Sequence, residues 1–368
     1  MNEHPRVWLE VDLRRLRDNF RRLAAQVSPC RLMAVVKADA YGVGMKAVGR
    51  ALLEAGAGMF GVATLREAVA AQEFGRPVQI LGQLDVTEIP GAVDAGVIIP
   101  VTGREFAAAV AAEAKKQGKT AICALAVDSG MGRLGMLVRN AFPEITAIAD
   151  LPGIELRGIF SHFSCASAPD RPYTAGQLEH FTALVNRLAA SGITFPDVHI
   201  GASGAIHYVP EARRAPFTLC RTGINLYGCG DGADELVPVT SLKARLVAIR
   251  RLPAGAGIGY ERTCVLSHDT LVGTVAAGYA DGIPLALSNR GEVLVRGMRC
   301  PILGRVSMDY TTIALAEGSG AEVGDEVIFF GESCGRTLAI DEAAQLKGTH
   351  PYDILCSLGN RVERIYRP

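Results

Sequence analysis

The chain has 368 residues, of which 49% are apolar, and its 38 basic and 38 acidic side chains give a formal net charge of zero. That length suits two domains of ordinary size, and the charge balance and apolar content exclude a disordered chain and argue against nucleic acid or an anionic membrane as partner. The nine cysteines are odd in number and form no C-x-x-C pair, which predicts reduced thiols and neither a disulfide framework nor a structural zinc site.

The N-terminus, Met-Asn-Glu-His-Pro-Arg, carries no apolar signal-peptide core, and no apolar run approaches the ~18 residues of a membrane helix. A cytoplasmic location is therefore expected. Trp8–Val11 reads as a short strand able to pair with either domain, and a helix follows over Leu13–Gln26. From residue 30 to about 230, strand-like runs alternate with amphipathic segments. The strands are Leu32–Val36, Met59–Val62, Val78–Leu81, Val97–Val101, Ala121–Val127, Leu156–Phe160, Asp197–Ile200 and Cys220–Leu226. The helical segments include Lys46–Ala55, Leu65–Phe74, Glu105–Gln117 and Gln177–Ala190.

Eight strand–helix repeats predict a parallel (β/α)8 TIM-type barrel over residues 1–234. A doubly wound sheet is the rival, but its glycine fingerprint is missing: Gly42-x-Gly44 continues Met-Lys-Ala-Val-Gly49, at the wrong spacing. Beyond residue 235 the runs become short, β-rich and separated by glycine turns, as in Ser241–Ile249, Thr270–Ala276, Gly291–Val295, Thr311–Leu315 and Glu326–Phe330. This predicts a mostly antiparallel β domain over 235–368, interrupted by one helix near Ile340–Leu346.

In a barrel of this kind, functional groups sit at the C-terminal ends of the strands. The first strand ends in Lys37, where a desolvated amine becomes a candidate nucleophile or base. The fifth runs into Asp128-Ser-Gly-Met-Gly-Arg133, the sixth into Ser161-His162, the seventh into Gly201-Ala-Ser203, and the eighth carries Arg221-Thr-Gly223-Ile224. A lysine, two arginines, a histidine, a serine and several glycines thus converge on one face. No carboxylate–histidine cluster accompanies them, so no metal is expected. The set suits an anionic cofactor bearing an aldehyde.

These residues resemble the alanine racemases, the fold-type III enzymes that use pyridoxal phosphate. The resemblance covers essentially the whole chain. It rests on Val36-Lys37-Ala-Asp-Ala-Tyr41-Gly42, Asp128-Ser-Gly-Met-Gly-Arg133-Leu-Gly135, Arg221-Thr-Gly223-Ile224-x-Leu-Tyr227-Gly228, Gly278-Tyr279-Ala-Asp281-Gly282 and Gly304-Arg-Val-Ser-Met308-Asp309. It implies racemisation of alanine by two bases, supplying D-alanine for peptidoglycan. Lys37 would hold pyridoxal phosphate as a Schiff base and serve one face of the substrate. Tyr260 of the partner subunit in a homodimer would serve the other; by itself Tyr260 reads only as an interface tyrosine. Tyr41, Ser203, Tyr352 and the amides of Gly223 and Ile224 would cradle the phosphate. His162 would pack on the pyridine ring and Arg221 would face its nitrogen. Since arginine holds its proton, the ring would be a weaker electron sink, which suppresses side reactions. Arg133 and the partner's Met308 would bind the substrate carboxylate, and Tyr279 and Tyr352 would narrow the entrance.

One departure stands out. Most relatives carry a lysine, often carbamylated, two residues before the aspartate of the arginine motif; here that position is Ala126. An anion or a side chain is expected to fill the gap beside Arg133. The change also favours an alternative reading, a racemase of broader range acting on serine, lysine or arginine. Smaller departures are Ala202 before Ser203, Glu261 after Tyr260, and Leu285. A non-catalytic pyridoxal phosphate carrier would have the barrel alone, and a decarboxylase would pair the ring nitrogen with a carboxylate where Arg221 stands.

Overall fold

The computed structural model describes residues 5–167 and 171–368. Eight parallel strands form the barrel: Arg31–Val35, Phe60–Val62, Val78–Ile80, Ile99–Val101, Ala121–Asp128, Ile154–Phe160, Asp197–His199 and Leu219–Thr222. Leu219–Thr222 pairs with Arg31–Val35, and Ala121–Asp128 lies between Ile99–Val101 and Ile154–Phe160. Two seams close the ring. Across one, Ile80 N donates to Ile98 O at 3.1 Å and Ile98 N to Val78 O at 2.9 Å. At the other, Thr218 N donates to Val198 O at 3.0 Å and Arg221 N to Gly201 O at 3.1 Å.

Most of these strands are buried on both faces, by side chains within the barrel and by helices outside, and read as continuous apolar runs; Ile154–Phe160, with Glu155 exposed, and Asp197–His199, with two polar residues, depart from that. Helices Leu13–Val27, Met45–Glu54 and Arg104–Lys116 fall where the periodicity places them; Leu65–Ala71 gives way to a 3₁₀ turn over Gln72–Phe74, and Arg171–Ala190 starts six residues before the predicted Gln177. The strand predicted over Cys220–Leu226 ends at Thr222, and a 3₁₀ turn takes over at Ile224–Tyr227. Three short helices, Ile89–Ala95, Ala141–Ala149 and Ser203–Tyr208, escape the periodicity because each spans three turns or fewer.

The second domain is a nine-stranded sheet built on the long strand Thr240–Leu252. Val7–Asp12 belongs to it, although it lies inside the 1–234 segment. It pairs antiparallel with Thr240–Leu252 and parallel with Glu363–Arg367. Its alternation explains this: Val7, Leu9 and Val11 point into the core, while Arg245 covers the Trp8 ring from the other side at 4.7 Å. Two helices interrupt the domain, not one: Ile340–Lys347 and Pro351–Cys356. The second carries Tyr352 to the barrel mouth, so the β domain helps to enclose the barrel's functional face. Among the described residues no helix is long and apolar enough to cross a membrane, and no disulfide joins the cysteines.

Candidate active site

The strand leading to Lys37 buries Met33, Ala34, Val35 and Val36, and the chain then turns the opposite way from an ordinary helix. Ala38, Asp39, Ala40 and Tyr41 all have positive φ, between 52° and 61°. A left-handed turn without glycine costs roughly 1–2 kcal/mol per residue, so surrounding contacts must hold it. Glu67 does so with both oxygens, accepting from Ala38 N at 2.7 Å and from Ala63 N at 2.8 Å. Asp39 accepts from Met45 N at 2.7 Å, and Tyr227 Oη donates to Ala40 O at 2.7 Å. Gly42 closes the turn against the second domain, where a Cβ would lie 2.7 Å from Leu355 O. The turn aims Tyr41 and Lys37 into one cavity. Burial lowers the Lys37 pKa, and the positive charges of Arg133 and Arg221 lower it further, so the amine form is favoured.

Arg221, 4% exposed, is the hub of the cavity floor. Its Nη2 donates to Ser161 O at 2.9 Å and Ile200 O at 3.0 Å, and meets His162 Nδ1 at 3.0 Å. Its Nη1 contacts His199 Nδ1. Nε makes none of these bonds. Burial pulls the Arg221 pKa down to about 10, which leaves it charged at neutral pH, though below the arginine range on which the sequence argument relied. Burial, and then Arg221, Arg133 and Lys37, push His162 down to about 3. His162 is therefore a neutral imidazole, with Nδ1 accepting from Arg221.

At the other end of the cavity, Ser203 Oγ accepts the Gly223 amide at 3.1 Å. A Cβ at Gly223 would lie 2.1 Å from Tyr41 Oη, so only glycine lets the phenol rest on that backbone. The Thr222 hydroxyl is buried here without a partner among the described residues. Lys37, Tyr41, Arg133, His162, Ser203, Arg221, Gly223, Ile224 and Tyr352 all line this cavity of about 730 Å³, a volume that suits a small cofactor with an amino acid. Hydroxyls and amides at one end, two guanidinium groups and a primary amine form a donor set fitted to a phosphorylated aldehyde. Among the described residues no group of side chains could hold a metal ion.

Of the anion or side chain expected to fill the gap at Ala126, the described residues supply apolar side chains. Ala126 is 1% exposed and packs with Met33, Ala124 and Phe160, beneath Leu134. The space is apolar and closed. Arg133 stands exposed at the cavity wall, with no ion-pair or hydrogen-bond partner among the described residues. Its loop is shaped by buried Asp128, which accepts from the amides of Gly130, Met131 and Gly132.

Tyr260, Tyr279 and Met308 are not in the cavity of their own chain. They lie on the second domain, 71%, 43% and 52% exposed; Leu285 and Tyr310 of the same domain are exposed too. The Tyr279 and Met308 turns lie against each other: Tyr279 N donates to Ser307 O and Ala280 N to Met308 O, both at 3.0 Å.

Three supporting residues are absent from the sequence reading. Thr64-x-x-Glu67 is a legible capping box, and both of its bonds form, but the reach of Glu67 to Ala38 is tertiary. Gln177, 2% exposed, accepts from Ser164 N at 3.1 Å and donates to His162 O at 3.2 Å. His199 lies inside a predicted strand, and nothing local marks it as the neighbour of Arg221.

The profile described as "Alanine racemase, N-terminal domain" matches residues 11–231, and "Alanine racemase, C-terminal domain" matches 239–366. An alanine racemase of Desulforamulus reducens is 37% identical, with 98% of each chain covered. The solved alanine racemase of Streptomyces lavendulae superposes with a TM-score of 0.92 at 33% identity, covering 99% of this chain and 97% of the other. That of Bartonella henselae, described with covalently bound pyridoxal phosphate, gives 0.88 at 27% identity over 98% and 99%.

Proposed function

The chain belongs to the alanine racemase family, whose members are isomerases, and from that premise we propose that it interconverts L- and D-alanine with pyridoxal phosphate in the barrel cavity. The observation that carries this reading is the meeting of Lys37, Arg221, His162 and the Ser203–Gly223 cradle in one cavity. When bound, pyridoxal phosphate supplies an aldehyde that takes up an amine and a ring that stabilises negative charge on the adjoining carbon. Lys37 would hold it; Tyr41, Ser203, Tyr352 and the amides of Gly223 and Ile224 would receive its phosphate; His162 would support the ring. Arg221, whose Nε is not engaged by its protein partners, would serve the ring nitrogen and keep it unprotonated.

Racemisation removes a proton from one face and returns one to the other. Lys37 Nζ serves one face, and its lowered pKa suits a base. Tyr260 Oη serves the opposite face, from the partner subunit of a homodimer. Its 71% exposure in the single chain, beside exposed Met308, fits a face completed by a second copy. The Met308 amide and Arg133 orient the substrate carboxylate. A cytoplasmic supply of D-alanine for peptidoglycan is the role this activity would fill. Unpaired Arg133 above apolar Ala126 favours a second reading, a wider substrate range.

The test is loss of optical activity when the pyridoxal phosphate-loaded protein meets L-alanine, L-serine, L-lysine and L-arginine separately. Alanine alone, or alanine far ahead of serine, supports the first reading. Comparable rates on lysine or arginine support the second, and no racemisation of any of the four refutes both.

A further inference from the structure

We infer that Glu261 is a positioning residue for Tyr260, acting through an ion pair with Arg305. The inference rests on the reading of Tyr260 as the second base. Tyr260 opens a turn in which the next two residues are left-handed, Glu261 at φ 60° and Arg262 at φ 49°. Glycine is the natural occupant of such a position. The Glu261 carboxylate instead reaches Arg305 Nη1 at 2.6 Å. On the single chain both side chains are largely exposed, and a pair of that kind adds less stability than a left-handed residue costs. The stability of the single chain therefore does not account for Glu261, and a local rule broken without structural return points to function.

What the pair holds together is specific. Arg305 starts the segment that ends at Met308, so the bridge ties the Tyr260 turn to the Met308 turn. Two further contacts join the same segments. A Cβ on Gly304 would lie 2.6 Å from Ile258 O, so the backbones touch. Asn289 spans them, with its Nδ2 donating to Thr263 Oγ1 at 3.0 Å and its Oδ1 accepting from Gly304 N at 2.6 Å. Those contacts fix the two ends of the turn, residues 258 and 263. Glu261–Arg305 fixes its middle, one residue from the phenol. Within its own chain Tyr260 has little else to rest on, being the most exposed of the large apolar or aromatic side chains among the described residues.

The test uses the pyridoxal phosphate-loaded dimer carrying E261Q, E261G, R305E or the charge-swapped pair E261R/R305E, with Y260F as reference. Because the equilibrium constant of racemisation is unity by symmetry, kcat/KM falls equally in both directions for any variant. The discriminating reading is the α-deuterium isotope effect, measured from each enantiomer. Impairing Tyr260 alone makes its proton transfer more limiting, which raises the effect from one enantiomer and lowers it from the other.

E261Q, E261G and R305E are expected to lose about tenfold in kcat/KM with this opposed shift, and the swapped pair to recover most of it. Isotope effects that stay put or move together, with or without a lower melting temperature, would overturn the inference. If E261Q fails to fold, E261G, which removes the strained side chain, carries the test. Full activity in Y260F would instead refute the reading of Tyr260, so the two failures are distinguishable.

Discussion

The barrel mouth and the outer edge of the β domain carry the two halves of the proposed site in opposite physical states. At the mouth the groups are enclosed and mutually constrained: Arg221 is 4% exposed with partners on both terminal nitrogens, and Lys37 leans on a left-handed turn fastened by Glu67. On the β domain, Tyr260 and Met308 are more than half exposed. One half is enclosed by its own chain, whereas the other stands exposed on it. The enclosed half can therefore shift pKa values by burial, as it does for His162 and Lys37.

The largest effect separates the halves outright. Lys37→Ala and Tyr260→Phe should each reduce racemisation by about 10²-fold or more. Mixing and re-annealing the two inactive proteins should restore about a quarter of the normal activity, since half the dimers are hybrids with one intact site each. Recovery near zero would mean that both residues act within one chain.

Next, Gly223→Ala should weaken pyridoxal phosphate binding about tenfold or more, because the added methyl collides with Tyr41 Oη. Absorbance titration with the cofactor checks this, and Tyr41→Phe should leave the loss in place because the ring still blocks the methyl.

A pH effect follows from His162, whose folded pKa of about 3 lies below its unfolded value of about 6.5. Above pH ~6.5 both states are neutral and nothing is lost. As pH falls from ~6.5 towards ~3, the unfolded chain takes up a proton that the folded chain refuses, so stability drops. Allowing for the partial exposure of the ring, the loss in the cofactor-free protein should be roughly 1–2 kcal/mol. His162→Gln should flatten that part of the denaturation profile; buried His199 acts in the same sense and persists in the variant. The smallest effect belongs to the outer domain: Arg251→Ala, breaking the exposed pair with Glu317, should change stability by less than ~0.5 kcal/mol in urea denaturation.

Much of this architecture is legible in the chain because apolar periodicity survives translation into strands and helices. Barrel strands such as Ala121–Asp128 announce themselves as continuous apolar runs. The Trp8–Val11 run does not reveal its partner, since alternation specifies a half-buried sheet without saying which one. The helix Pro351–Cys356 is too short for a periodic signal, yet it delivers Tyr352 to the cavity. Ala126 is readable as a departure, but its apolar surroundings come from Met33, Ala124 and Phe160 on neighbouring strands, which no local pattern places there.

The sequence by itself determined the eight-strand alternation, the change to a β domain, and the chemistry gathered at the strand ends, because strand direction alone sends Lys37, Arg133, His162, Ser203 and Arg221 to one face. Only the tertiary structure decided how those groups act on one another. The left-handed course of Ala38–Tyr41 has no glycine to predict it and exists because Glu67, Asp39 and Tyr227 hold it. The neutrality of His162 needs burial and three nearby cations, brought from three strand ends. The exposure of Tyr260 and Met308 is likewise a fact of packing: their domain buries its own core and leaves both outside, where a single chain has nothing to offer them.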